Sequence, residues 1–389
     1  MSARTTTAPL HGAHTALPRL MRAVVLTGHG GLDRLSVRED WPRPEPGPRE
    51  ALIEVGACGL NNTDVNTRTG WYSSGVSGAT TGEALEAAAD TDAAWGGKAI
   101  ELPRIQGADV CGRVIALGSG CDPSLLGLRV LIDGWLRDWN YPLDRDRCGY
   151  FGSECDGGFA EFTVVDERHV HPVTSELSDA ELATFATSYM TAENMLNRAD
   201  VQAGDRVLIT GASGGVGSAL IQLARRRAAE TVALCGASKA EAVRALGADH
   251  VLPRAPEDLK AALRSATGHD EVTVVADVVG GALWPELIAA LARGGRYTCA
   301  GAIAGPVVSF DLRTFYLRDL VFTGATVPPP GVFADLVGYI ERGEIRPLLA
   351  ATWPLRELVA AQAAFIAKRH VGNIVVTMTP DRQAADGKT

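Results

Sequence analysis

One stretch restricts the fold more than any other: VLITGASGGVGSALIQLA, residues 207 to 224. An apolar run of strand length leads into a glycine-rich turn, and the turn into residues with helical apolar spacing. Ala212, Gly214 and Gly217 take the three positions of a G-x-G-x-x-G fingerprint, with Ala at the first and with Gly215 and Val216 between the last two. Gly214, lacking a side chain, lets a pyrophosphate approach the backbone, and Gly217 lets the helix lie against the strand. The helix N-terminus adds free N–H groups and the positive end of its dipole, so the segment is expected to bind a dinucleotide. A plain tight turn is the bland alternative.

The next strand, TVALC (231 to 235), runs into Gly236, Ala237, Ser238 and Lys239. A carboxylate at this point would hold ribose hydroxyls and repel a 2′-phosphate, and the segment has none. Ser238 can donate a hydrogen bond and Lys239 brings a cation, so NADPH is the expected cofactor. The same two residues also read as a helix N-cap and a solvated charge, and both roles are compatible with phosphate binding.

Strand and helix signals alternate from the helix VGSALIQLARRRAAE (216 to 230) onward through KAEAVRALGA, HVLP, VTVVADVV (272 to 279), GGRYTCAGA and LVFTGATV (320 to 327). Continuous Val, Leu and Ile in the strands, with helices between them, imply a parallel, doubly wound sheet covered on both faces. Before Ser175 the pattern differs. Short runs such as ALIEVGAC (51 to 58), ADVCGRVIAL (108 to 117), LRVLI (128 to 132) and FAEFTVV (159 to 165) are separated by Gly and Pro and suggest a barrel. Ser73 to Lys98 and Leu136 to Gly157 exceed ordinary connections and are expected to shape a site's mouth or an interface. SDAELATFATSYMTAENMLNRADV, opened by a Ser178 cap, reads as one linking helix. After Pro328 come two helices and a closing strand, NIVVTM, which must pack on the first domain.

The composition narrows the partners. A net charge of -9, with acids and arginines interspersed, argues against a nucleic-acid binder, because phosphate contacts need clustered Lys and Arg. No apolar run reaches transmembrane length and the first twenty residues lack a secretory core, so no membrane role and a cytoplasmic location are expected. The seven cysteines are scattered, unlike a disulfide framework or a metal knuckle.

In the order of its segments the chain resembles the medium-chain dehydrogenase/reductase superfamily from about Met21 to Met378. The segments are GLNNTDVNTRTGWY (59 to 72), IQGADVCGRVIALG (105 to 118), GGFAEFTVV (157 to 165), GASGGVG (211 to 217), LGADHV (246 to 251) and HVGNIVV (370 to 376). The resemblance implies a GroES-like β-barrel catalytic domain plus a Rossmann doubly wound parallel sheet, with the site in the cleft between them. The division it gives is a tail at 1–20, the first catalytic part at 21–177, the NADP-binding domain at 178–327, the closing catalytic part at 328–378 and a second tail at 379–389. The edge strand LVFTGATV resembles the family's dimer edge and implies a homodimer.

Zinc enzymes of this superfamily carry a thiolate, an imidazole and a third ligand where this chain has Asn61, Ala108 and a position near Thr187. Zinc needs thiolate, imidazole or carboxylate at such points, so no metal is expected. Only Cys148 and Cys155 occur where those enzymes keep a four-cysteine lobe, and His169 and His171 are expected to be surface or core side chains. The segment from Gly59 instead looks like the quinone oxidoreductase pattern, matched at Asn61, Asp64, Arg68, Gly70 and Tyr72. By that resemblance Asn61 and Tyr72 border nicotinamide and substrate, Tyr72 as a possible proton donor, while Asp64 and Arg68 hold the loop. From spacing alone, Asp64 caps a short helix and Arg68 is its ion-pair partner one turn on. Thr191 and the segment Gly301 to Ile303 match positions near the cofactor, whereas Asn373 departs from a common basic residue.

With no Lewis acid to stabilise an alkoxide, the resemblance points to hydride transfer from NADPH to a small-molecule electron acceptor, a quinone or an α,β-unsaturated carbonyl compound. Two readings stay open beside it: a redox-silent NADPH-binding protein of the same fold, and a zinc-type alcohol dehydrogenase with atypical ligands.

Overall fold

The computed structural model describes residues 17–80 and 99–378. Most of the expected tails and much of the segment from Ser73 to Lys98 lie outside them. Among the described residues regular structure begins one residue before the expected Met21, at the strand Leu20–Leu26, with Arg19 O already accepting a hydrogen bond from Arg43 N–H at 3.0 Å.

The barrel is organised by one long strand, Glu50–Gly59. One edge pairs antiparallel with Asp109–Leu117; the other pairs first with Phe162–Asp166, over Glu50 to Glu54, and then with the C-terminal strand Asn373–Thr377, over Ala57 to Gly59. Changing partner along one edge is how an antiparallel sheet turns a corner. Arg129–Ile132 and Val170–Pro172 extend the sheet on one side, and Leu349–Pro354 on the other. A smaller sheet of Leu35–Pro42, Leu20–Leu26 and Arg104–Ile105 closes over the core, where Leu26, Leu52, Ile53, Phe159 and Val376 are buried.

The second domain is a six-stranded parallel sheet, Arg206–Ile209, Glu230–Cys235, His250–Pro253, Val272–Asp277, Leu291–Cys299 and Val321–Gly324, ordered third, second, first, fourth, fifth, sixth. Its central strand shows why the apolar run is unbroken. Val207 and Ile209 enter one core with the linking helix and the helix Gly215–Arg226, while Leu208 enters a separate core on the opposite face. Each such fully buried side chain stabilises the fold by roughly 1.5–3 kcal/mol.

Several elements differ from expectation for reasons that lie outside the local sequence. The linking helix is two, Asp179–Leu182 and Ala186–Arg198. Ser178 caps the first as expected, but the Thr184 hydroxyl donates to Glu181 O at 2.7 Å, and Asp109 on the barrel accepts the Thr187 N–H at 2.9 Å. The helix after the glycine turn stops at Arg226, where Ala228 (φ 56°) reverses the chain so that Glu230 opens the next strand and meets Arg206 at 2.7 Å. The strands Leu35–Pro42 and Leu349–Pro354 and the helices Leu259–Thr267 and Trp284–Ala289 are additions to the expected set. Among the described residues no helix is long and apolar enough to cross a membrane.

Candidate active site

Between the barrel and the parallel sheet, the helix Asn62–Thr69 supplies one wall. Asn61 is its N-cap residue, and the Asp64 carboxylate folds back to accept the Asn61 N–H at 2.7 Å. Burial pushes the Asp64 carboxyl up to about 7, and the nearby Asp109 adds to the rise. The Asp64–Arg68 ion pair suggested by spacing is not where these groups make their described hydrogen bonds. Arg68 is fully buried and donates from Nε to Gln362 Oε1 at 3.2 Å and from Nη1 to Gly30 O at 2.6 Å, joining this helix to the C-terminal segment and the first hairpin. Past the left-handed Gly70, half-buried Tyr72 lies beside the Thr63 and Asn66 side chains, and burial raises its pKa. The segment beyond it reaches across the cleft, where Thr80 N–H donates to Ile303 O at 2.9 Å.

At the three positions that hold zinc in related enzymes, the donors do not make a zinc site. Asn61 offers an amide, Ala108 a methyl group and Thr187 a hydroxyl, and among the described residues no group of three or more His, Cys, Asp or Glu side chains is placed to hold a metal. A hydrogen-bond chain fills this place. Asp109 is fully buried, its carboxylate accepting from both the N–H and the hydroxyl of Thr187, and the Tyr150 hydroxyl lies 2.7 Å from Thr187 Oγ1. Burial lifts the Asp109 carboxyl to about 6, partly offset by Thr187 and by the Asn61 side chain facing it. Asp109 Oδ2 and Asn61 Nδ2 are both buried without a hydrogen-bond partner of good geometry among the described residues. Tyr150 was not singled out by sequence; its one signal was its position in the long segment from Leu136 to Gly157.

The other wall is the glycine turn. Gly214 is the N-cap of Gly215–Arg226, which opens with no side-chain cap and so leaves its first N–H groups for an anion. A Cβ at Gly217 would lie 2.3 Å from Gly211 O, so only glycine permits this approach of helix and strand. At Gly214 the nearest atom to a Cβ would be Gly211 O at 3.5 Å, which leaves the outer face open, while at Gly215 a Cβ would strike Ser188 Oγ at 2.3 Å. Ala212 is buried and Val216 half-buried. The C-terminal segment lies alongside, with Gly372 N–H donating to Ser213 O at 2.9 Å and Asn373 Nδ2 to Ser188 Oγ at 3.0 Å. Half-buried Thr191 sits one turn beyond Thr187 on the linking helix, and half-buried Gly301 and Ile303 follow the fifth strand.

Ser238 and Lys239 differ from their bland reading. Ser238 is exposed within a short 3₁₀ turn (Ala237–Lys239) whose N-cap is Gly236, so it caps nothing. Lys239 is not a free solvated charge; its ammonium donates to Lys368 O and His370 O, both at 2.7 Å, and burial lowers its pKa. Lys368, unmarked in the sequence, donates to Asn62 Oδ1 at 2.8 Å above the Phe365 ring, and burial brings its pKa down to about 7. Farther off, His169 is buried and His171 half-buried, both lowered to about 4 by burial, with Trp139 Nε1 donating to His169 Nε2 at 3.3 Å.

This architecture has known relatives. Residues 47–175 match the alcohol dehydrogenase GroES-like domain and residues 215–342 the zinc-binding dehydrogenase family. The fold superposes on a provisionally named alcohol dehydrogenase from Sinorhizobium meliloti 1021 with a TM-score of 0.84 at 44% identity, over 93% of this chain and 97% of that one. A quinone oxidoreductase from Lama guanicoe is 26% identical over 88% of this chain and 93% of its own length. An NADPH-dependent alkenal/one oxidoreductase of Arabidopsis thaliana chloroplasts is also 26% identical, over 95% of this chain and 82% of its own. With a GroES-like barrel, a parallel sheet of the Rossmann type and a cleft between them, the chain is an oxidoreductase of the medium-chain dehydrogenase/reductase superfamily and belongs to its quinone-oxidoreductase-like branch.

Proposed function

We propose that the protein is an NADPH-dependent, zinc-independent reductase of α,β-unsaturated carbonyl compounds or quinones. The observation that carries this reading is the donor set beside an intact nucleotide turn: Asn61, Ala108 and Thr187 stand where a metal site would need stronger ligands. Without a Lewis acid a simple ketone lacks a partner for its developing alkoxide, whereas a conjugated acceptor spreads the charge by itself. The name of the chloroplast relative gives the same chemistry.

NADPH, when bound, supplies a hydride from C4 of its dihydronicotinamide. The chain's own residues do the rest. Gly214 and the N–H groups that follow hold the pyrophosphate, and Ser238 with Lys239, in a turn without a carboxylate, receives the 2′-phosphate. Thr191, Gly301 and Ile303 line the nicotinamide end. Asn61 and Tyr72 flank the acceptor and offer an amide and a hydroxyl to its oxygen, while Asp64 and Arg68 fix the helix that carries them.

The test is a fluorescence titration with NADPH and NADH, followed by stopped-flow oxidation with short enals and a small quinone. NADPH should bind at least about tenfold tighter, the equivalent of one charge-assisted hydrogen bond, and the nucleotide should be oxidised without added metal. Tight binding with no turnover of any acceptor would overturn the reading, as would activity that tracks stoichiometric zinc.

A further inference from the structure

The chain Asp109–Thr187–Tyr150 has a direction that can reverse. Thr187 Oγ1 carries one proton and touches both neighbours. With Asp109 ionised, Thr187 donates to the carboxylate and Tyr150 must donate to Thr187, so the phenolic proton points away from the cleft. With Asp109 protonated and donating to Thr187, the hydroxyl proton of Thr187 turns to Tyr150, and the phenol is released to donate elsewhere. We propose that Asp109, Thr187 and Tyr150 form a proton relay in which Tyr150 is the acid that protonates the reduced substrate. This rests on the reading of the protein as an enone reductase.

The relay stands against the Asn61 wall of the cleft, since the Asn61 side chain faces Asp109, and packing holds its members in place. The Tyr150 ring takes room left by two small residues, since a Cβ at Gly134 would lie 3.3 Å from its Cε2 and 3.7 Å from Ala108 Cβ. Trp135, at a ring distance of 4.8 Å, fixes that ring. Thr187, in the first turn of the linking helix, is half-buried with Thr191 one turn on, while Tyr150 is only 5% exposed, so the hydroxyl pair is shielded from bulk water. Among the described residues Asp64, Cys58 and Tyr150 act on Asp109 and Tyr72 acts on Tyr150, none of them cationic near neutral pH, while Arg68 acts on Asp64 and directs its described hydrogen bonds to Gln362 and Gly30. Burial among neutral and acidic groups favours the protonated carboxyl.

The step balances. A hydride, two electrons and a proton, joins the β-carbon of the unsaturated carbonyl, the nicotinamide is oxidised, and the alkene pair moves to leave an enolate. The Tyr150 O–H bond breaks as its proton joins the α-carbon; Thr187 reprotonates Tyr150, and Asp109 reprotonates Thr187. Asp109 is left ionised and takes a proton from water after the product departs. A quinone needs less, because its reduced monoanion is stable enough to leave as such.

The experiment compares wild type, Tyr150→Phe, Thr187→Val, Thr187→Ser and Asp109→Asn, with a 2-methyl enal and a quinone as acceptors in H₂O and D₂O. Tyr150→Phe and Thr187→Val should lower kcat for the enal about a hundredfold with quinone turnover and NADPH affinity within a few-fold of wild type. Thr187→Ser should restore the enal rate. Deuterium from D₂O should enter one face of the α-carbon with wild type and both faces with Tyr150→Phe. The wild-type fall in kcat as pH rises should flatten in Asp109→Asn. In protein free of nucleotide and substrate, the infrared spectrum should lose one protonated-carboxyl band in Asp109→Asn, with the Asp64 band remaining, and the lost band should be the one that shifts in Tyr150→Phe. Wild-type enal rate and single-face labelling in Tyr150→Phe would overturn the relay. Failure of wild type to reduce any enal would strike the functional reading instead.

Discussion

At the scale of single residues, burial has loaded this cleft with carboxyl groups that resist ionisation. Asp64 is lifted from 3.8 to about 7 and Asp109 to about 6. Each binds a proton more tightly folded than unfolded, so the stability it permits is complete below about pH 4 and is lost as pH rises through about 6 to 7. Replacing Asp64→Asn removes one of these terms while keeping an acceptor for the Asn61 N–H. Scanning calorimetry from pH 4 to pH 8 is expected to show a shallower fall in unfolding midpoint than wild type; an equal slope would mean that Asp64 ionises normally. The sequence marked Asn61, Asp64, Arg68 and Tyr72 through their spacing, because one helix and its flanks carry all four. It could not mark Tyr150, Thr187 and Asp109 as a unit, since they meet from three separate segments. Nor could it show that the Lys239 ammonium is held by carbonyls 129 and 131 positions away.

At the scale of elements, the glycine turn is legible because its chemistry is local. Gly217 is required by Gly211 O at 2.3 Å and Ala212 Cα at 2.6 Å from where a Cβ would stand, both of them backbone atoms that cannot rotate away. Gly217→Ala is therefore expected to destabilise the protein by about 1–3 kcal/mol and to weaken NADPH binding in the fraction that folds. Urea unfolding and nucleotide titration would check this, and a variant with wild-type stability would contradict the contact. The parallel strands were readable for a related reason: covered on both faces, they need unbroken apolar text. Leu349–Pro354 was not, because its burial alternates between half-buried and exposed and its sequence offers Ala, Thr and Pro. The break in the linking helix escaped notice because the group that takes the Thr187 N–H stands on a different strand, 78 positions earlier.

At the scale of the whole molecule, the sixth strand of the parallel sheet, Val321–Gly324, is hydrogen-bonded on one side only among the described residues. Around it Val307, Leu312, Tyr316, Leu317 and Val321 are exposed, with Leu312 at 68%. We propose that a second copy covers this edge about a two-fold axis, since an open edge flanked by apolar side chains invites strand pairing. Light scattering should give twice the chain mass, and Val321→Lys combined with Leu317→Glu should give the single mass; a monomeric wild type at micromolar concentration would sink this. The barrel carries a consequence of its own for how the protein is made. Its strand Asn373–Thr377 is interior, held between Glu50–Gly59 and Leu349–Pro354, although it follows every strand of the parallel sheet in the chain. A ribosome thus releases all six strands of the parallel sheet before the barrel can receive its missing stave, and a nascent chain that stops before Asn373 leaves Ala57 to Gly59 without that partner.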